Sequence, residues 1–276
     1  MELSKLINTL ELEFPPETAW RDDSIGLQIK SRKSEVRNVY LTLELNEKCI
    51  KEAIDNSSDL IITFHPLIFR PLSSIDVEER VGNIVTQLIK NDINLYAIHT
   101  NFDSHENGTS NELCKMLGFE KSKFLVQDSN FEDKGMGVII DLQEQISFNK
   151  LLEKISLICC SPLKYNKPSS DKIGRIAILG GSGSSYIDSA INKNCDVIIT
   201  ADIKYHDFHY ATNKIAIVDP GHYEMEQFVS NAMFNILNEK LKNDINLIRG
   251  SVVTNPINYF PQDKYSEMQK NNLNNN

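Results

Sequence analysis

The 276-residue sequence is poor in several things, and each shortage narrows what it can be. It has five cysteines, Cys49, Cys114, Cys159, Cys160 and Cys195, an odd number with no CxxC pair. That argues against a disulfide framework and for a reduced, cytoplasmic chain. No apolar run approaches the ~20 residues that a membrane-spanning helix needs. Met1 to Leu12 is acidic and amphipathic, unlike a signal peptide. Positive charge is also short. Lys and Arg total 29 against 38 Asp and Glu, for a net charge of -9 and a pI of about 5.2. Nothing here points to a general binder of nucleic-acid backbone, although a local basic pocket remains compatible with the totals.

What is present is an alternation of strand and helix patterns. Residues 2 to 13 read as a helix with Leu3, Leu6, Ile7 and Leu10 on one side, stopped by Pro15-Pro16. The stretch Thr18 to Ile29 reads as a loop. Val39 to Leu43 is strand-like, and Asn46 is placed to cap a helix to about Asn56. Asp59 to Thr63 is a second strand, followed by Phe64-His65-Pro66. A helix is expected over Val77 to Lys90, then a strand over Leu95 to Ile98 ending in His99-Thr-Asn-Phe-Asp103. A helix from about Thr109 to Leu117 follows.

The order then recurs. Arg175 to Leu179 reads as a strand, Ser184 to Lys193 as a helix, Asp196 to Thr200 as a strand and Ile215 to Val218 as a strand. Asp59-Leu-Ile-Ile-Thr63 and Asp196-Val-Ile-Ile-Thr200 differ at one position. Leu41 to Thr63 spans the same length as Ile178 to Thr200. The expected fold is therefore α/β: two duplicated, intertwined halves with mostly parallel or mixed sheets covered by helices. The expected divisions are a first half over 1–119, a connector over 120–172, a second half over 173–261 and a disordered polar tail over 262–276. The connector holds a strand at Met136 to Leu142 and a helix from about Phe148 to Ile158.

In parallel α/β sheets, ligand groups gather beyond the carboxyl ends of strands. Those ends present His65, His99 and Asp103 in the first half. In the second half, Asp219-Pro-Gly-His-Tyr-Glu-Met-Glu226 sets His222 and Glu226 one helical turn apart before a long helical pattern to about Leu241. His65, Asp103, His222 and Glu226 make two imidazoles and two carboxylates, a donor set for Zn, Fe(II), Mn or Ni. His99 is either a further ligand or a donor that orients Asp103. His99 and His206 are candidate proton carriers, and Lys204 and Tyr205 candidate substrate contacts. Gly180-Gly-Ser-Gly-Ser-Ser185 falls between a strand and a helix, so Gly181 and Ser182 are candidates for holding phosphate. The stretch lacks the P-loop Lys and the dinucleotide-binding spacing, and a tight turn is the simpler reading.

Six motifs together resemble one family. They are Asp23-Ser-Ile-Gly-Leu-Gln28, Ile62-Thr-Phe-His-Pro-Leu-Ile-Phe69, His99-Thr-Asn-Phe-Asp103, Gly180-Gly-Ser-Gly-Ser-Ser185, Thr200-Ala-Asp-Ile-Lys-Tyr-His-Asp207 and Gly221-His-Tyr-Glu-Met-Glu226. They are similar to the NGG-one-interacting factor three family, whose members are also called GTP cyclohydrolase I type 2 homologues. The resemblance implies a duplicated α/β fold, a toroidal homohexamer and a two-metal site facing its cavity. It assigns His65 and Asp103 to one metal and His222 to the other, with Glu226 bridging. The family usually carries a second histidine where this chain has Phe64. The expectation is one well-held metal on His65, Asp103 and Glu226, with a second weak or absent. Asp22 stands where members often carry Trp, with Trp20 two residues away, and the long inserted domain of some members is missing.

The resemblance leaves three functional expectations. One is a metal-dependent hydrolase of a nucleotide-like substrate. The second is a non-catalytic metal carrier or insertase. The third is a protein-interaction factor with a structural metal.

Overall fold

The computed structural model describes residues 1–121, 123–241 and 244–260; the expected tail from Gln262 lies outside them. The chain forms two compact units. One comprises Met1–His105 with Val229–Thr254, and the other Glu106–Phe228 with the described residues from Asn255 onward.

In the first unit, α1 (Leu3–Glu13) precedes β1 (Gly26–Ile29), β2 (Asn38–Thr42) and α2 (Glu47–Asp55). Next come β3 (Leu60–Thr63), α3 (Arg80–Lys90), β4 (Asn94–Ala97) and the one-turn α4 (Thr100–Asp103). In the second, α5 (Thr109–Met116) is followed by β5 (Lys123–Gln127), β6 (Gly135–Ser147), α6 (Phe148–Cys159) and β7 (Lys164–Tyr165). Then come β8 (Lys172–Ser182), α7 (Ile187–Asn192), β9 (Val197–Ala201), α8 (Tyr205–Ala211), β10 (Ala216–Asp219) and α9 (His222–Glu226). The chain leaves this unit after Phe228, and α10 (Val229–Leu241) and β11 (Asn246–Arg249) belong to the first.

The first sheet has the order β1-β4-β3-β2-β11, parallel except for β1. The Asn46 side chain caps α2 by accepting from the Cys49 N–H at 3.0 Å, as its position predicts. Helices α2 and α3 bury Cys49, Ile50, Ala53, Ile84, Val85 and Leu88 with Tyr40, Ile61 and Leu95 of the sheet. Each such aliphatic side chain contributes roughly 1.5–3 kcal/mol on leaving water.

The second sheet has the order β5-β6-β8-β9-β10-β7. Its centre, β8, β9 and β10, is parallel, and its flanks are antiparallel. Side chains alternate between two cores. Ile176, Ile178, Val197 and Ile199 pack with Leu113, Leu151 and Ile155 on one face, while Ala177, Ile198 and Ile217 pack with Ile187, Ala190 and Ala211 on the other. Both faces being covered explains why β9 reads as an unbroken apolar run.

The duplication is visible in hydrogen bonds. The Asp59 carboxylate accepts from the Arg37 and Asn38 N–H groups at 2.9 and 3.1 Å. The Asp196 carboxylate accepts from Gly174 and Arg175 at 2.7 and 2.8 Å, at the same sequence offset. Ser57 and Asn194, two residues before each Asp, both take left-handed backbone.

The connector supplies β5, β6 and β7 to the second sheet. Three details differ from the sequence reading. The stretch read as a loop before Ile29 contains β1, too short to show a period. The run from His222 to Leu241 is two helices, broken at 227–228 where the chain changes units. The glycine stretch is not a loop between strand and helix. Gly180, Gly181 and Ser182 finish β8, with an irregular register against β9. Among the described residues no helix is long and apolar enough to cross a membrane.

Candidate metal centre

In the first unit the ladder runs on past β3. Phe64 N donates to Thr42 O at 3.1 Å and His65 N to Leu43 O at 3.0 Å, which fixes both residues at the strand's carboxyl end. The His65 ring turns its Nδ1 to Glu44 Oε1 at 2.8 Å. Phe64 is fully buried, with ring centroids 4.8 Å from His65, 5.4 Å from His99 and 6.1 Å from Phe102. His99 Nδ1 lies 2.9 Å from Asp23 Oδ1. Burial would raise the Asp23 carboxyl, but hydrogen bonds from His99 and Thr100 outweigh it and hold it below the usual range. Asp103, half-buried, ends α4, and its N–H donates to His99 O at 3.2 Å.

In the second unit, β10 ends at Asp219, and a Pro220-Gly221 turn starts α9 at His222. His222 Nε2 is 3.0 Å from Glu226 Oε2, one turn along, and its Nδ1 is 2.7 Å from Asp202 Oδ2. Burial alone would lower the His222 pKa. The hydrogen bonds and charges of Asp202 and Glu226 overcome it and push the imidazole up to about 11. His222 in turn holds the Asp202 carboxyl below its ordinary value. Asp202 has φ 58, a left-handed conformation rare outside glycine, directly after β9. Gly181, with φ +64, leaves the space these side chains fill: a Cβ there would come within 2.5 Å of Glu226 Oε1 and 3.5 Å of the His222 ring. A glycine at 181 thus leaves room for the His222 and Glu226 side chains.

The expected site residues divide accordingly. His222 and Glu226 come together in one unit, and His65 and His99 lie 5.3 Å apart, ring to ring, in the other. His99 faces Asp23 through Nδ1 rather than standing alone. Lys204, Tyr205 and His206 are exposed at the start of α8. Lys204 N donates to Asp207 Oδ2 at 3.1 Å, so this stretch performs helix capping whatever else it does. Ser182 is exposed at the end of β8.

Three residues that orient histidines, Asp23, Glu44 and Asp202, were not among the expected site residues. The duplication carried a signal for Asp202, because the offset that superimposes Asp59 on Asp196 places His65 on Asp202.

The Duf34/NIF3 (NGG1p interacting factor 3) family model matches residues 1–256. A Clostridium perfringens protein named GTP cyclohydrolase 1 type 2 homolog is 33% identical over 265 residues, covering 94% of this chain and 100% of that protein. One of the same name from Streptococcus pneumoniae is 33% identical over 268 residues, with the same coverage. The crystal structure of a Bacillus cereus protein related to NIF3 superposes with a TM-score of 0.87 at 24% identity, covering 94% of this chain and 99% of that one. The chain belongs to the Duf34/NIF3 family.

Proposed function

We propose that the protein binds divalent metal, with His222 and Glu226 as ligands in the second unit and His65 and Asp103 as ligands in the first. The observation that carries this reading is the His222 arrangement. Asp202 grips Nδ1 and thereby aims Nε2 at a buried carboxylate, the way outer carboxylates orient metal-binding imidazoles. Imidazole and carboxylate donors without thiolate suit Zn, Fe, Mn or Ni.

We further propose that the chemistry is hydrolysis of a nucleotide-like substrate, in keeping with the name of the relatives. A divalent cation in such a centre supplies Lewis acidity and an activated nucleophile near pH 7. The chain's own residues divide the remaining work. His99, held at Nδ1 by Asp23, exchanges a proton at Nε2. His206 is a second, exposed proton carrier, and Lys204 and Tyr205 offer charge and a ring to phosphate and base. The exposed side chains of Phe69, Leu72, Ile75 and Val77 supply apolar surface for the homohexamer that the resemblance implies.

The test is turnover. Metal-loaded protein is incubated with a nucleotide panel and products are separated. Release that disappears in Asp103→Ala is expected; no release with any of the four metals contradicts hydrolysis. One observation favours a second reading, a carrier of metal: Phe64 is a fully buried phenyl ring, which donates nothing to a metal, where the resemblance implies a second histidine. Transfer of metal to an apo-acceptor without nucleotide turnover would support it.

A further inference from the structure

Helix α9 carries both His222 and Glu226, yet it is only five residues long. A single helical turn has no stability of its own, so its orientation is set by what it is tied to. One tie is unexpected. Glu224, between the two donors, is completely buried. A buried carboxylate is costly unless its oxygens are engaged, and an apolar residue would fill the place at less cost. The Asn255 Nδ2 group donates to Glu224 Oε1 at 2.8 Å. Asn255 is itself fixed by its Oδ1, which accepts from Ile257 N at 3.0 Å. Tyr259 also turns its hydroxyl toward this carboxylate; burial and the Glu224 charge push that hydroxyl well above its ordinary pKa.

Gly221 makes the arrangement fit. A Cβ there would come within 2.3 Å of Glu224 Oε2 and 2.8 Å of the Tyr259 hydroxyl, and its φ of +99 is one that other residues rarely adopt. The chain leaves this unit after Phe228 and re-enters it at Asn255. The tie is therefore made by a segment that returns after α10 and β11.

We propose that residues 255–260 form a strap that positions α9 by gripping Glu224, and that this grip sets the affinity of His222 and Glu226 for their cation. Asn255, Tyr259 and Glu224 are positioning residues and touch no reacting group. The inference rests on the metal-binding reading above.

The test is a Zn²⁺ titration of the full chain against a chromophoric chelator. The Asn255→Ala/Tyr259→Phe double variant and Glu224→Ala should each bind Zn²⁺ about 10- to 100-fold more weakly, the loss typical of removing support around a metal ligand. Glu224→Gln, which still offers Asn255 an acceptor oxygen, should stay near wild type. A role in folding alone would lower Tm and leave the Zn²⁺ affinity of the folded protein unchanged. Affinity within twofold of wild type in the double variant and in Glu224→Ala overturns the proposal. Should both fail to fold, Tyr259→Phe alone decides: a several-fold loss supports the strap, and wild-type affinity overturns it. Failure of the metal reading looks different, because the wild-type chain itself then binds no Zn²⁺.

Discussion

The two units share an anchor and differ at what the anchor presents. In each, an Asp before the central strand ties down the start of the neighbouring strand: Asp59 holds Arg37 and Asn38, and Asp196 holds Gly174 and Arg175. Past the strand ends the likeness stops. The first unit offers Phe64 and His65, and the second offers Ala201 and Asp202 at the same offset. One presents an imidazole steadied by Glu44, the other a carboxylate that steadies an imidazole supplied by α9. The backbone scaffold was kept while the chemical ends diverged, which is how a duplicated fold can supply unlike ligands.

Four substitutions probe that comparison. The largest effect is expected where the units differ most in packing. Phe64 is fully buried against His65, His99 and Phe102, whereas its counterpart is the small Ala201. Phe64→Ala should cost about 3–5 kcal/mol in urea denaturation; a cost below ~1 kcal/mol would mean the aromatic cluster is not a packing unit. Next is the orienting role. Asp202→Ala should weaken metal binding about 10- to 100-fold. Glu44→Ala should do the same if the halves work alike, and calorimetric titration of both variants measures how far the likeness holds.

The smallest effect concerns the shared anchor. Burial raises the Asp59 carboxyl, but Lys33 and the N–H groups of Arg37 and Asn38 hold it below the ordinary 3.8. A carboxyl lowered in the folded state contributes stability above its unfolded pKa and loses it as pH falls through the folded value. Wild-type stability should therefore drop as pH falls below about 4. Asp59→Asn should be less stable at pH 7 and flatter across that window. Parallel curves for the two proteins would remove Asp59 from the account.

Most of the architecture could be read from the chain because its strands are apolar on both faces and its helices keep a strict period, as in β3, β9, α2 and α6. The near-identity of 59–63 and 196–200 exposed the duplication. Strand β1 escaped because four residues, Gly26 among them, are too few to carry a period. The assignment of α10 and β11 to the first unit depends on long-range pairing with β2, which local pattern does not encode. At the centre, histidines on strand ends were legible, because few places in a fold put imidazoles side by side. Their orienting acids were not: Asp23 lies far from His99 in sequence, and Asp202 sits in a stretch whose capping residues look equally purposeful.

The central claim is that His222 and Glu226, with the imidazole aimed by Asp202, hold a divalent cation. Its most direct test is elemental analysis of chelator-free protein, comparing wild type with His222→Ala. The account predicts divalent metal retained by the wild-type chain and lost from the variant. Metal retained at wild-type stoichiometry and affinity in His222→Ala would contradict it.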